Sequence, residues 1–224
     1  MRDLGIETSG GPLHHRVSDA IALGQGVVLQ GTRMRFQRNE EIFGEGEKAE
    51  YVYRVVSGAV RTIRFGADGR RQILAFHLPG DVFGLEPSAA HTLSAEAVGE
   101  AEVSMVRRSL IDHAAAQDVG AAQALLRLMA KELTNAQEHA LVLGRKGAGE
   151  RVAAFLLQLA DRFAQRPEID LPMSRADIAD YLALTIETVS RAFTQMERDH
   201  AIDLPSSRHV VVRDRCALEM LQAA

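Results

Sequence analysis

The sequence has one cysteine, Cys216, among its 224 residues. A single thiol cannot close an intrachain disulfide, complete a zinc site or hold an iron–sulfur cluster. Such sparing use of cysteine fits a reducing, cytoplasmic setting. A basic excess is also missing. There are 26 Lys and Arg against 30 Asp and Glu, a net charge of −4. Affinity for nucleic acid must therefore come from a local patch and not from the net field. No apolar run reaches the roughly 18–20 residues that span a bilayer, so no membrane partner is expected. Met1–Leu13 holds Gly, Ser and Thr but no apolar signal core, so no export signal is read. No nucleophile–base pair, phosphate loop or metal-ligand cluster is evident, which argues against an enzyme and leaves no metal site. Glu96, Glu100 and Glu102 lie close in sequence, but β surfaces often carry such carboxylates.

What is present is ordinary globular material, 46% apolar and 25% charged, enough for a sizeable core. The first 25 or so residues read as a loose tail with a short helix near Val17–Leu23. From Val27 to Arg108, short β-rich runs alternate with turns. The runs are Tyr51–Val56, Ala59–Phe65, Arg71–His77, Ser94–Val98 and Ala101–Val106, separated by Ser57-Gly58, Gly66-Ala67-Asp68-Gly69 and Pro79-Gly80-Asp81. This spacing predicts a sandwich or barrel.

From Ser109 the period becomes helical. Ala122, Leu126, Met129, Leu133, Ala136, Ala140 and Leu143 alternate by four and three, an a/d seam that usually faces another helix. Its alanines permit close backbone approach, and the rest of the chain offers no obvious partner helix. The seam therefore predicts a homodimer; packing within one chain is the other reading. Gly144-Arg145-Lys146-Gly147 ends the helix. A second amphipathic helix follows over Glu150–Phe163, with Val152, Phe155, Leu156 and Leu159 inward, and stops at Arg166-Pro167.

Ser174–Asp199 is the most informative stretch. Ser174 caps a helix from Arg175 to Leu182, with Asp177 in its first turn. Ala183-Leu184-Thr185 forms a short turn, and Thr185 caps a second helix from Ile186 with Glu187 near its positive end. Ile178, Leu182, Leu184, Val189 and Ala192 make one apolar cluster, and small Ala179 lies where the helices approach. Two helices this short need each other to be stable. The pattern predicts a helix-turn-helix whose second helix enters a DNA major groove. Ile186, Glu187, Ser190 and Arg191 are the expected base readers. Arg191 can donate a bidentate pair to guanine, Glu187 can accept from cytosine, and Ile186 can touch a thymine methyl. Ser174, Arg175, Thr185 and Thr188 are candidates for phosphate contacts. Ile202–Leu204 and His209–Val212 read as a hairpin, or wing, whose tip offers Ser207, Arg208 and His209 to phosphates. Arg215–Leu221 closes the chain as a helix.

Several segments resemble the CRP/FNR superfamily of bacterial transcription regulators. They are Phe43-Gly44-Glu45-Gly46-Glu47, Ser57-Gly58, Leu78-Pro79-Gly80-Asp81, Gly149 to Leu156, and Glu187-Thr188-Val189-Ser190-Arg191. The last, with Ile186 where the CRP branch has Arg, resembles the FixK-like branch, as does Leu171-Pro172-Met173-Ser174. The resemblance implies an α+β fold. An N-terminal antiparallel β-roll (27–117) follows a tail (1–26). A dimerisation helix (118–144) and a winged helix-turn-helix domain (145–224) complete it. It also implies a homodimer on double-stranded DNA at a palindromic TTGA-type site, successive major grooves about 34 Å apart, and RNA polymerase as a partner of activators.

Departures from the family pattern bear on cofactors. Cyclic-AMP binders hold ribose with a Glu and phosphate with an Arg. Here the matching residues are Leu85 and His91, and losing the Arg–phosphate pair removes the strongest contact of such a pocket. No cyclic AMP and no iron–sulfur cluster are expected, while His77 and His113 leave haem open. An effector-gated sensor with a non-nucleotide ligand in the β-roll remains an alternative. Ala183 stands where the family often has Gly. A left-handed Ala costs about 1 kcal/mol, so a locally adjusted turn is the expectation. His200 stands where a helix-ending Gly is common, a conformation His tolerates better than most residues.

Overall fold

A computed structural model describes residues 19–24, 26–144, 147–163 and 167–223. The described residues open with a hairpin of β1 (Ala20–Leu23) and β2 (Val27–Gln30). Eight strands then build the N-terminal roll: β3 (Thr32–Phe36), β4 (Glu41–Phe43), β5 (Tyr51–Ser57), β6 (Val60–Phe65), β7 (Arg71–His77), β8 (Val82–Phe83), β9 (Ser94–Ala97) and β10 (Ala101–Arg107). They form two antiparallel sheets, ordered β3-β10-β5-β8 and β4-β9-β6-β7. Phe43, Tyr53, Val55, Val60, Phe83, Ala95 and Val103 are buried together as their shared core. Fully burying each of the larger of these side chains contributes about 1.5–3 kcal/mol. The β5–β6 turn needs Gly58 at φ 76°, because a Cβ there would meet the Ala101 Cα at 2.8 Å. The five runs read from the sequence match β5, β6, β7, β9 and β10 to within one residue at each end.

The expected helix near Val17–Leu23 is corrected. Residues 17 and 18 lie outside the described part, and Ala20–Leu23 is a strand laddered on Val27–Gln30. Ile21 and Leu23 are buried on either side of exposed Ala22. Alternation of period two, with a partner strand two residues beyond a Gly24 turn, outweighs weak helix propensity.

The helices follow. α1 (Arg108–Gln117) leads into α2 (Val119–Leu143), whose first turn is capped by the Asp118 carboxylate accepting from the Ala121 N–H at 2.6 Å. Ala121, Ala124, His139 and Val142 turn one face of α2 into its own subunit. After α3 (Ala148–Arg162) come β11 (Glu168–Asp170), α4 (Arg175–Leu182), α5 (Ile186–Arg198), β12 (Ile202–Asp203), β13 (His209–Val212) and α6 (Arg215–Ala223). α3 buries Val152, Phe155, Leu156 and Leu159, as its periodicity predicts. One core runs without a break from Ile63, Ile73 and Phe76 of the roll to Phe155, Ile178 and Leu182. Among the described residues no helix is long and apolar enough to cross a membrane.

Candidate nucleic-acid interface

α4 and α5 form a helix-turn-helix whose ends are closed by side chains. The Ser174 hydroxyl accepts the Asp177 N–H at 3.1 Å, and the Asp177 Oδ2 accepts the Ser174 N–H at 3.0 Å and its O–H at 2.8 Å. This reciprocal cap satisfies donors that a helix start otherwise leaves orphaned. Ala183 takes φ 51°, in the left-handed region, and reverses the chain. The Thr185 hydroxyl then accepts the Thr188 N–H at 3.2 Å and starts α5. Ile178, Ala179, Leu182, Val189, Phe193 and Met196 are buried between the two helices and the core, with Leu184 and Ala192 packed against them. His200 ends α5 at φ 59°.

That core leaves Ile186, Glu187, Ser190 and Arg191 exposed on one end of α5. Ile186 is 47% exposed. The Arg191 guanidinium donates to the Thr188 hydroxyl at a long 3.4 Å, so it is scarcely committed. The Glu187 carboxyl is held below its ordinary value by its own backbone N–H and the Thr185 hydroxyl, with Arg191 adding attraction. Glu187 is therefore an ionised acceptor at neutral pH, beside an Arg free to reach outward.

The phosphate candidates divide. Thr185 is exposed and Thr188 half-buried beside it. Ser174 is half-buried and its hydroxyl is spent on the cap. The Arg175 guanidinium lies 3.2 Å over the Phe193 ring, with its Nη1 buried and without a hydrogen-bond partner. Burial pushes its pKa down to about 10, still a cation at neutral pH. On the wing, Ser207 and Arg208 are exposed between β12 and β13. His209 Nδ1 is 2.7 Å from the Asp170 carboxylate of β11, a strand the sequence reading lacked.

The seam of α2 faces away from the subunit. Leu126 is 67% and Leu133 60% exposed, Met129, Ala136 and Ala140 are exposed too, and Ala122 and Leu143 are half-buried. Val119, at 75%, extends it by one further a/d position, three residues before Ala122. Beside it the roll holds a cavity of about 270 Å³ lined by Phe43, Thr62, His77, Phe83, Leu85 and Met129, with Glu86 and Glu132 as its charged groups. Burial pushes His77 down to about 4, so it is neutral. His91 is buried, stacked on Phe43 at 3.7 Å between centroids, with Nδ1 3.1 Å from the Glu86 carboxylate. Among the described residues no group of three or more His, Cys, Asp or Glu could hold a metal.

Sequence reasoning missed the residues that join roll to helix-turn-helix: Arg61, Arg71, Gln72, His139 and Asp180. Nothing local marked them. β6 reads Val60-Arg61-Thr62-Ile63-Arg64-Phe65, and only the fold shows that Arg61 of its two arginines is the buried one, where a charge must be paired.

A β-roll, a long helix with an exposed apolar seam and a winged helix-turn-helix define a DNA-binding transcription regulator, not an enzyme. The comparisons agree with that class. Residues 33–118 match the cyclic nucleotide-binding domain family and residues 150–221 the Crp-like helix-turn-helix domain family. The nitrogen fixation regulation protein FixK of Azorhizobium caulinodans is 52% identical over 204 residues, 89% of this chain and 82% of that protein. The transcriptional activatory protein AadR of Rhodopseudomonas palustris is 38% identical over 213 residues, 90% of this chain and 82% of that protein. The solved structure of FixK2 from Bradyrhizobium japonicum superposes with a TM-score of 0.84 at 50% identity, covering 88% of this chain and 99% of that one. The chain belongs to the CRP/FNR superfamily, in its FixK-like branch.

Proposed function

We propose that the protein is a FixK-like transcription activator that binds a palindromic TTGA-type site as a homodimer, without cyclic AMP. The observation that carries the DNA reading is the exposed group of Ile186, Glu187, Ser190 and Arg191 at the N-terminal end of α5. An α-helix presents that end to base edges in the major groove. The exposed seam of α2 supports the homodimer, since a twofold pair would bury Leu126, Met129 and Leu133 and explain a palindromic site. Activation is supported by the name of AadR, and RNA polymerase is the implied second partner. The setting is cytoplasmic, where such a regulator meets DNA.

The cavity supports independence from cyclic AMP. Its charged lining groups are carboxylates, and His91, at the place of the family's phosphate-binding Arg, is packed behind Phe43 and engaged by Glu86. An anionic ligand would meet repulsion there and no cation. The same apolar lining favours a second reading, a regulator gated by a small neutral effector, which calorimetry with uncharged candidates would detect.

The test of the main reading is a gel-shift titration with a TTGA…TCAA duplex and a scrambled duplex of equal length. Tight, salt-sensitive binding to the first and weak binding to the second is expected with no nucleotide added. Equal affinity for both duplexes would reject it.

A further inference from the structure

The first helix of the helix-turn-helix is held at both ends by side chains from the rest of the protein. At its start the Asp177 carboxylate serves two purposes. One oxygen, Oδ2, caps the helix with Ser174. The other, Oδ1, accepts from Arg61 of β6 at 2.9 Å and from Arg71 of β7 at 2.8 Å. Arg61 and Asp177 are both almost wholly buried, with side chains 4% and 6% exposed. Arg61 is itself fixed, donating to Glu96 at 3.0 and 2.5 Å and to Asn39 at 3.0 Å. Arg71 also donates to Asp180 at 2.8 Å.

At the other end of α4 the carbonyls that a helix leaves without intrahelical partners are taken one by one. Gln72 donates to the Asp180 carbonyl at 2.7 Å, His139 of α2 to that of Tyr181 at 2.8 Å, and Arg151 of α3 to that of Leu182 at 3.0 Å. Hydrogen bonds of this kind are directional, and a buried guanidinium–carboxylate pair tolerates little rotation. An apolar contact alone would let α4 roll or slide.

We propose that Arg61, Arg71 and Gln72 are positioning residues for DNA recognition: the β6–β7 ladder clamps α4 in one orientation and thereby sets the pose of α5 in the absence of an effector. Among the described residues, α5 makes no side-chain hydrogen bond to the roll; its polar contacts, Glu197 with the Leu204 N–H and Phe193 under Arg175, stay within the DNA-binding domain. It follows α4 because Ile178, Leu182, Val189 and Phe193 pack the two into one unit. The clamp therefore fixes the direction in which Glu187 and Arg191 point. This rests on the DNA-reading role of α5 proposed above.

Two measurements test it on the full-length chain. The first uses no DNA. Spin labels on the native Cys216 of α6 and on an introduced cysteine at the exposed Arg38 position, diluted with unlabelled chain, report the distance between roll and DNA-binding domain. The native protein is expected to give one narrow distribution. The Arg71→Ala/Gln72→Ala variant is expected to broaden it, with the thermal transition of the roll retained because both side chains are only half-buried. The second is binding. The variant should lose about tenfold in affinity for the TTGA duplex, since only a fraction of molecules then hold the competent pose, while binding to scrambled DNA stays the same. Arg71→Ala and Asp180→Ala should be non-additive in a double-mutant cycle on that affinity. An unchanged distance distribution, or a variant that binds the site more tightly than wild type, would overturn the clamp. Failure of the native protein to prefer the TTGA duplex would instead strike the DNA-reading role itself, and the distance measurement separates the two.

Discussion

His139 of the long helix and Tyr181 of the first DNA-binding helix lie ring on ring, their centroids 3.9 Å apart and their planes 2° from parallel. The imidazole Nε2 also donates to the Tyr181 carbonyl at 2.8 Å, which fixes the proton on that nitrogen. Replacing His139 by Ala removes the stack and leaves the Tyr181 carbonyl only a long 3.5 Å hydrogen bond from Gln72. The expected cost is about 2–3 kcal/mol. Urea unfolding of the variant against wild type measures it, and a loss below half a kcal/mol would show the contact to be incidental.

Ala183 pays for its left-handed conformation at φ 51°. Ala183→Gly should stabilise the protein by about 0.5–1 kcal/mol, the relief exceeding the added freedom of the unfolded chain. Ala183→Val should destabilise it by about 1–2 kcal/mol, because a β-branched residue resists the turn more strongly. Thermal melts of the two variants should move in opposite directions.

The buried His77 makes stability depend on pH. Burial lowers its pKa from 6.5 to about 4 in the fold. Between those values the unfolded chain binds the proton and the folded one does not, so stability falls as pH drops from about 6.5 to about 4. The loss reaches up to about 3 kcal/mol. His77→Leu should flatten this part of the profile, followed by denaturant midpoints at a series of pH values. An unaltered slope in the variant would assign the effect to other groups.

The seam of α2 is the expected dimer contact. Leu126→Glu combined with Leu133→Glu would set carboxylates against their twofold mates and dissociate the pair. Sedimentation equilibrium should show dimers for wild type and monomers for the variant. Affinity for the palindrome should fall by about 100-fold or more, as two linked contacts become one. A dimeric variant would place the interface elsewhere.

Arg191→Ala should weaken binding to the TTGA duplex by about 1–3 kcal/mol and relax preference at the base it reads. Affinity for scrambled DNA should change little. Arg208→Ala, at the wing tip, should instead weaken both duplexes alike and reduce the salt slope by about one. Competition titrations at two salt concentrations distinguish these patterns.

Much of this architecture was legible because it is local. Caps at Ser174 and Thr185, the helix end at His200, the inward face of α3 and five strands of the roll all follow from a few neighbouring residues. The helix read near Val17–Leu23 failed for the converse reason. Four residues carry too weak a propensity to decide, and the ladder with Val27–Gln30 decided for them. β11 was missed likewise, since three residues become a strand only when β13 lies beside them.

Periodicity and capping chemistry, then, were enough to specify a sandwich or barrel of short strands, a seamed helix and a helix-turn-helix with Arg191 on its outer side, while the roll was what the family resemblance implied. They could not specify that Arg61 meets Asp177, 116 residues further along the chain. Such pairing depends on how two units dock, and docking is set by the summed fit of a shared core and the need to neutralise buried charge. No window of sequence contains both.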